Sequence, residues 1–522
     1  MELRFQLFIM TTHRRSFLKV SSTALIGSAL SSRLAFAADP KSPVRYLTAS
    51  SVSSPHTSMS SVQRRESFGW KVAGIPGTAE NSSLEIRWEN TPAPGTDCSL
   101  RIALMDTSEM QNLVEVSLIG SGKVIGQFDI RKASTFQPSE LRLSKEDAAA
   151  AIKEGIRLRQ TLGEVVLWVI TGVSEGELPT PKELTPHLLP LVKTDPVAEY
   201  FDRMETLATV GYFGWCEGCT LDGLLQLSLL PGKQHYRKTL EQHLSLFFKK
   251  DGQFIYENPR GKANDNRVGG IESMLPWAPL AVVDPKHPSF GPLEAKWASM
   301  EKNDAQGCII DGKTTTSEGA YTVGYPMAIL AKQRGDKALG ERAVVQLLVR
   351  QQRFFDGVAF TRVAKTQPDG TIVPGDNRNW CRGITWQILG MARVIEVLDG
   401  FVDVTEAKKE FVRLSAWIEK YQLKGGLWSV FVDETDLTPD AGGSAGIAAA
   451  LAIGAKHGWL PESSRANAER AWSGLVANLT PDGFLKGTSQ SNWGGEGLQR
   501  SDYRVIYQMS MGLMAQLHAA LR

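Results

Sequence analysis

Five short segments of one kind recur through the later part of the chain, and they limit its fold more than any other feature. They read Asp251-Gly252-Gln253-Phe254-Ile255, Gln306-Gly307-Cys308-Ile309-Ile310, Asp356-Gly357-Val358-Ala359-Phe360, Gly425-Gly426-Leu427-Trp428-Ser429 and Asp482-Gly483-Phe484-Leu485. They return about every 50–70 residues, a period that marks a repeat architecture. Each follows a more polar helical stretch and precedes a more apolar, Gly- and Ala-rich one. Apolar residues recur at helical spacing from near Val197, Gly218, Tyr236, Gly270, Leu293, Thr322, Ala338, Arg382, Thr405, Ala441, Ser464 and Asp502. A helical hairpin cannot bury its apolar face alone. Six hairpins closed into a ring bury the apolar helices inside and leave the amphipathic ones outside. The expected fold of residues 197–522 is therefore an (α/α)6 barrel, of the six-hairpin type, with an open superhelix of helix pairs as the structural alternative.

The earlier part has a different texture. Ser83–Trp88, Leu100–Leu104, Leu113–Ile119, Val124–Ile130 and Val165–Ile170 alternate or run apolar between Gly, Pro and Asp clusters. Period-two segments with such punctuation predict a β-sandwich over residues 38–180, interrupted by one helix near Lys145–Leu158. Pro181, Pro186, Pro190 and Pro196 mark residues 181–196 as a linker. The whole is a multidomain α and β chain, as its 522 residues allow.

Residues 1–37 read as a twin-arginine export signal. Arg14 and Arg15 precede Ser16-Phe17-Leu18-Lys19, a small-residue apolar stretch follows, and Ala35-Phe36-Ala37 has a small-x-small cleavage pattern. The expected location is the periplasm or outside the cell, with no stable membrane span after cleavage. A formal net charge of +2 gives no argument for nucleic acid or an anionic surface. Five cysteines make no dense disulfide framework. Cys216-Glu217-Gly218-Cys219 has the redox spacing but lacks the surrounding βαβ pattern. No second Cys or His cluster completes a zinc site, so neither metal nor cofactor is expected.

In a barrel of this kind the site lies where the inner helices begin. Those points carry Tyr212, Trp215 and Glu217; Asn264-Asp265-Asn266-Arg267; Asp311 and Glu318; Asp376 to Arg382, including Trp380; Asp433, Glu434, Asp436 and Asp440; and Gln490, Asn492, Trp493, Glu496, Arg500 and Asp502. Acids move protons, Arg grips a carboxylate in a two-bond fork, and Trp stacks on a sugar ring. A single Asp at such a place is more often a helix N-cap; the gathering is not. Asp311 follows the apolar Cys308-Ile309-Ile310, which suits a general acid. Arg382 and Trp386 share one helix face.

Trp380-Cys381-Arg382-Gly383-Ile384-Thr385-Trp386 resembles the Trp-x-Arg-Gly-x-x-Trp motif of the unsaturated glucuronyl and rhamnogalacturonyl hydrolases, glycoside hydrolase families 88 and 105. Asp265-Asn266-Arg267-Val268-Gly269-Gly270 is similar to their Asp-Asn-x-x-x-Gly, and Ile309-Ile310-Asp311 to the segment of their catalytic Asp. Gly426-Leu427-Trp428, Gly443-Ser444-Ala445 and Lys456-His457-Gly458-Trp459 resemble their last third in order, so the likeness covers about residues 200–522. It implies an (α/α)6 barrel that removes a 4,5-unsaturated uronic acid from oligosaccharides by hydrating the vinyl ether, without metal or covalent nucleophile. Carried over, Asp311 is the acid/base and Asp265 a second carboxylate. Arg382 and Trp386 become sugar contacts, with Trp380, Trp215 and Trp428 as further substrate-binding aromatics. The chain departs from the family where Lys313–Gly324 separates Asp311 from Pro326-Met327, which brings in Glu318 as a competing acid. It also lacks the His that the family often places between Phe355 and Trp380.

The expected function is thus an exported glycan-processing hydrolase acting on a uronate-containing oligosaccharide. A polysaccharide lyase on a toroidal helical scaffold is the first alternative. It has Tyr212, Tyr321 and Tyr325 available as bases, but no His in the mouth segments. A non-catalytic glycan-binding protein is the second.

Overall fold

The repeated glycines explain how the helices connect. Gly252, Gly307, Gly357, Gly426 and Gly483 have φ of 93°, 74°, 94°, 87° and 86°, a backbone region that favours glycine over residues bearing a Cβ. In four of the five the glycine N–H closes a turn onto the carbonyl three residues back, as in Gly252 to Lys249 and Gly483 to Thr480. Isolated bridges such as Phe248 with Phe254, Phe355 with Phe360 and Leu479 with Leu485 then reverse the chain. At Gly483 a Cβ would lie 2.2 Å from the Tyr200 nitrogen, so the turn also lets the last hairpin close on the first.

The structure is a computed structural model that describes residues 45–62, 65–106, 111–172, 179–256, 263–375 and 378–522. The segment read as an export signal, with Arg14 and Arg15, lies outside the described residues, as do Asp376 and Asn377. The helices are α1 (Lys145–Glu154), α2 (Pro196–Met204), α3 (Trp215–Ser228), α4 (Tyr236–Phe247), α5 (Trp277–Val283), α6 (Phe290–Glu301) and α7 (Tyr325–Arg334). They continue with α8 (Lys337–Phe354), α9 (Cys381–Leu398), α10 (Thr405–Ile418), α11 (Ala441–Lys456), α12 (Glu462–Val476), α13 (Gly495–Arg500) and α14 (Gln508–Leu521). Inner helices α3, α5, α7, α9, α11 and α14 pack neighbour on neighbour, and α14 packs back on α3. Helices α2, α4, α6, α8, α10 and α12 precede them in the chain as the outer members of six hairpins. A π-helical turn at Ala320–Gly324 leads into α7.

The strand region forms a sheet of Leu47–Thr48, His187–Pro190, Cys98–Ala103 and Pro138–Leu143, in that order. A second sheet orders Ser51–Ser53, Leu84–Arg87, Ile156–Leu162, Gln111–Leu118 and Val124–Arg131. One apolar cluster joins Leu100 and Ile102 of the first to Ile86, Val116, Phe128 and Leu158 of the second. Two expectations are corrected. The predicted helix to Leu158 stops at Glu154, because Gly155 (φ 76°) ends it, and Ile156 opens a strand instead. The 181–196 segment is not a free linker: His187–Pro190 pairs with Cys98–Arg101, and Leu188 and Leu189 are buried.

Ser42–Arg522 forms one compact unit, and the strand region is fastened to the barrel end where α14 begins. Asp482 accepts from Arg101 at 2.5 and 3.1 Å and from the Tyr46 hydroxyl at 2.8 Å. Ser134 shares a hydrogen bond with the Tyr507 hydroxyl at 2.7 Å, and Gln137 donates to the Ile506 carbonyl at 2.9 Å. Among the described residues no helix is long and apolar enough to cross a membrane.

Candidate active site

Two turns of the repeat deliver side chains to the mouth in the same way. Asn266 and Asn379 both have left-handed backbones, φ 55° and 57°, a conformation Asn tolerates better than most residues. The Asn266 side chain accepts from the Phe254 N–H at 2.9 Å, and its own N–H returns to the Phe254 carbonyl at 2.8 Å. Asn379 does the same with Phe360, at 2.8 and 2.7 Å. Asn thus pins each loop to the Gly-x-aromatic segment before it. Asp265 and Trp380, one residue to either side of an Asn, are set in place by these pins.

The three candidate acids have different surroundings. Asp311 is exposed, on the loop ahead of the π-helical turn. One carboxylate oxygen accepts from the Ile271 N–H at 3.1 Å, which joins it to the loop that begins at Asp265. Asp265 is itself about half exposed and holds Arg65 through two bonds of 3.0 and 2.7 Å. Glu318 is 4 % exposed. One of its oxygens takes Arg362 at 2.6 Å. The other is buried without a hydrogen bond. Arg362 also reaches toward Glu272 at 3.7 Å, and its guanidinium lies 5.5 Å from the Trp380 ring centre.

Arg382 is not the open carboxylate fork that the motif implied. It is 1 % exposed. Its Nε faces Asp440 at 3.2 Å, and Nη2 donates to the Gln490 carbonyl. The same guanidinium sits 4.9 Å from the Trp380 ring centre. Gln499 accepts from the Trp380 indole at 3.1 Å and donates to the Gln490 carbonyl at 2.7 Å. Asp440 caps α11 through the Gly442 N–H at 3.1 Å and takes the Ser489 hydroxyl at 2.8 Å. Arg382 therefore binds three mouth segments together from below.

The aromatics divide. Trp215 is half-buried and meets Trp386 at 5.5 Å, Tyr212 at 5.6 Å and Tyr507 at 5.7 Å between ring centres. Trp386 and Trp380 are each 3 % exposed, so they form floor rather than open platform. Trp428 is wholly buried, its indole donating to the Ile418 carbonyl at 2.9 Å, and it offers no face to a ligand. The five cysteines are free and buried. Burial, with nearby carboxylates, pushes the Cys216 and Cys219 thiols well up from their usual range, away from the reactive thiolate a redox pair needs.

Residues 194–521 match the family model described as Glycosyl Hydrolase Family 88. The chain belongs to glycosyl hydrolase family 88. Like that family, it is a glycoside hydrolase. No curated protein matches it. Among solved structures, it is similar to a family 105 glycoside hydrolase of C. acetobutylicum, 17% identical over 62% of this chain and 98% of that one, with a TM-score of 0.52. That likeness shows the fold. It is also similar to a possible family 105 member from Salmonella enterica serovar Paratyphi A, 19% identical over 59% and 82% of the chains, TM-score 0.49. A third is the unsaturated glucuronyl hydrolase of Bacillus sp. GL1, responsible for the degradation of glycosaminoglycan, 15% identical over 63% and 94%, TM-score 0.45.

Arg362, Glu272, Gln499 and Arg65 were not singled out by the sequence. The first lies in the stretch where this family 88 chain lacks a His, and a lone charged residue in a loop carries no spacing signal. Gln499 and Arg65 reach the mouth through contacts more than 100 residues apart in the chain.

Proposed function

We propose that this family 88 hydrolase removes a 4,5-unsaturated uronic acid from the end of an oligosaccharide. The observation that carries the reading is Asp311. It is an exposed carboxylate on the mouth, fixed by the Ile271 N–H, in a chain whose motifs resemble the unsaturated uronyl hydrolases. In this reading the Asp311 carboxyl gives a proton to C4 of the vinyl ether. Its carboxylate then takes a proton from the water that adds at C5. The hemiketal so formed opens at its C5–O5 bond, leaving a ketone at C5 and a hemiacetal at C1, and collapse of that hemiacetal to an aldehyde releases the sugar that had been linked to the uronate. Asp265 is the second carboxylate, and Trp215 with Tyr212, both half-buried, supplies the aromatic contact. Glu318, buried against Arg362, supports the mouth from behind, and Arg382 acts on the substrate through the segments it ties. The strand region is read as a β-sandwich that walls one side of the mouth.

Turnover in heavy water tests the chemistry. The reading requires one deuterium at C4 of the product for each molecule consumed; product without it contradicts vinyl-ether hydration. Export is proposed from the twin-arginine pattern, with cleavage after Ala37. N-terminal sequencing of the extracytoplasmic protein checks it, and an intact N-terminus there would oppose it.

A further inference from the structure

Asp265 and Arg65 are 200 residues apart in sequence and meet in a two-bond ion pair of 3.0 and 2.7 Å. Each is delivered by a segment that is itself tied down. On the Arg65 side, Glu66 accepts from the Met59 N–H at 2.8 Å and the Ser58 hydroxyl at 3.0 Å, folding the segment on itself. Phe68 follows, stacked on Phe136 at 5.3 Å and edge-on to Phe247 of α4 at 5.3 Å. Trp70, fully buried, packs edge-on against both Phe68 and Phe136. On the Asp265 side, Asn266 is pinned to Phe254, and the Tyr256 hydroxyl donates to the Arg267 carbonyl at 2.6 Å. The loop ends at Ile271, whose N–H holds Asp311. The Asp265 carboxylate thus faces a guanidinium from the strand region, at the start of a loop whose end holds Asp311.

We propose that Arg65 is a positioning residue of the active site, supplied by the strand region, which fixes Asp265 and through the 265–271 loop the placement of Asp311. Arg65 lies outside residues 194–521, the part that matches the family, so the barrel depends on the strand region for its working geometry. The inference rests on the proposed role of Asp265. The pair is 41 and 45 % exposed, and ion pairs open to solvent add little to folding. Removing Arg65 should therefore leave the protein folded.

The test compares the full-length wild type with Arg65→Ala and Arg65→Lys. Arg87→Ala, which removes the exposed partner of Glu85, serves as control. Three quantities are read: steady-state kinetics on an unsaturated disaccharide, hydrogen exchange of residues 263–271, and the melting temperature. Small misplacements of a reacting group cost up to about 100-fold in rate. The expected result for Arg65→Ala is a kcat lower by about 10- to 100-fold, KM within about twofold, faster exchange over 263–271 and unchanged melting. Arg65→Lys restores part of kcat, and Arg87→Ala matches wild type. An unchanged or raised kcat in Arg65→Ala, or unchanged exchange over 263–271, overturns the proposal; a raised kcat would mark the pair as a block on Asp265. If wild type turns over no unsaturated disaccharide, the proposed function fails, and the exchange comparison, which needs no substrate, still decides whether Arg65 holds the loop.

Discussion

Asp311 and Glu318 differ in the one property that matters for proton transfer to a sugar, which is access. Asp311 is exposed at the mouth, whereas Glu318 is buried under Arg362. Asp311→Asn is expected to lower turnover by about 10²–10⁴-fold, the range for losing a general acid, with the fold intact. Steady-state kinetics check this. If Asp311→Asn and Glu318→Gln both leave turnover unchanged, both acids are misassigned. Asp440→Asn belongs to another class. It leaves the buried Arg382 without its charge partner, and breaking a buried pair costs about 3–5 kcal/mol. A clear drop in thermal stability is expected; an unchanged melt would contradict the role given to that pair. The motif Trp380-x-Arg382 was legible in the sequence, and the direction of its side chains was not. Residue type says that Arg can hold a carboxylate. Only packing says that this one holds Asp440 and a backbone carbonyl.

At the scale of elements, the glycine turns were the legible part, because a positive φ restricts residue choice so sharply. Their period gave the hairpins, and helix starts fell within a few residues of those expected, as at α4, α9, α10 and α11. Strands were less legible. Lys71–Ile75 and His187–Pro190 escaped notice because each is short and buried with no clean alternation, and Pro138–Leu143 because it opens on a Pro and alternates only over Glu140–Leu143. Gly483→Ala tests the turn argument. The added Cβ meets the Tyr200 and Glu199 backbone at 2.2 and 2.3 Å, at φ 86°. A loss of about 1–3 kcal/mol is expected from backbone strain. Gly425→Ala, with open space around it, should stay within about 0.5 kcal/mol of wild type. Chemical denaturation compares the two, and equal losses would refute the argument.

At the scale of the whole molecule, the strand region and the barrel share a charged lock whose behaviour in acid can be worked out. Burial acts to raise the Asp482 carboxyl, but the Arg101 charge and its hydrogen bonds outweigh burial and hold it at about 2. A carboxyl depressed in the fold stabilises above its unfolded value, about 3.9, and that stabilisation is lost as pH falls toward 2. His187, beside Arg101, is pushed down to about 3 by burial and by that charge. It must take up a proton on unfolding, so stability also declines as pH falls below about 6.5. Both groups act in one direction, and melting temperature should drop steadily from pH 7 to pH 3. Asp482→Asn should flatten the part below pH 4; an unaltered profile would remove the lock from the account. None of this was legible beforehand, because Arg101 and Asp482 are 381 residues apart. Vinyl-ether hydration at the mouth consumes the C4–C5 double bond of the substrate, and the fate of that bond can be followed in solution. Its ultraviolet absorbance is followed with wild type and Asp311→Asn side by side on unsaturated disaccharides from pectin, ulvan and glycosaminoglycans. Wild type is expected to bleach at least one of them while Asp311→Asn does not. Rising absorbance on an intact uronate polymer, the mark of a lyase, would contradict it.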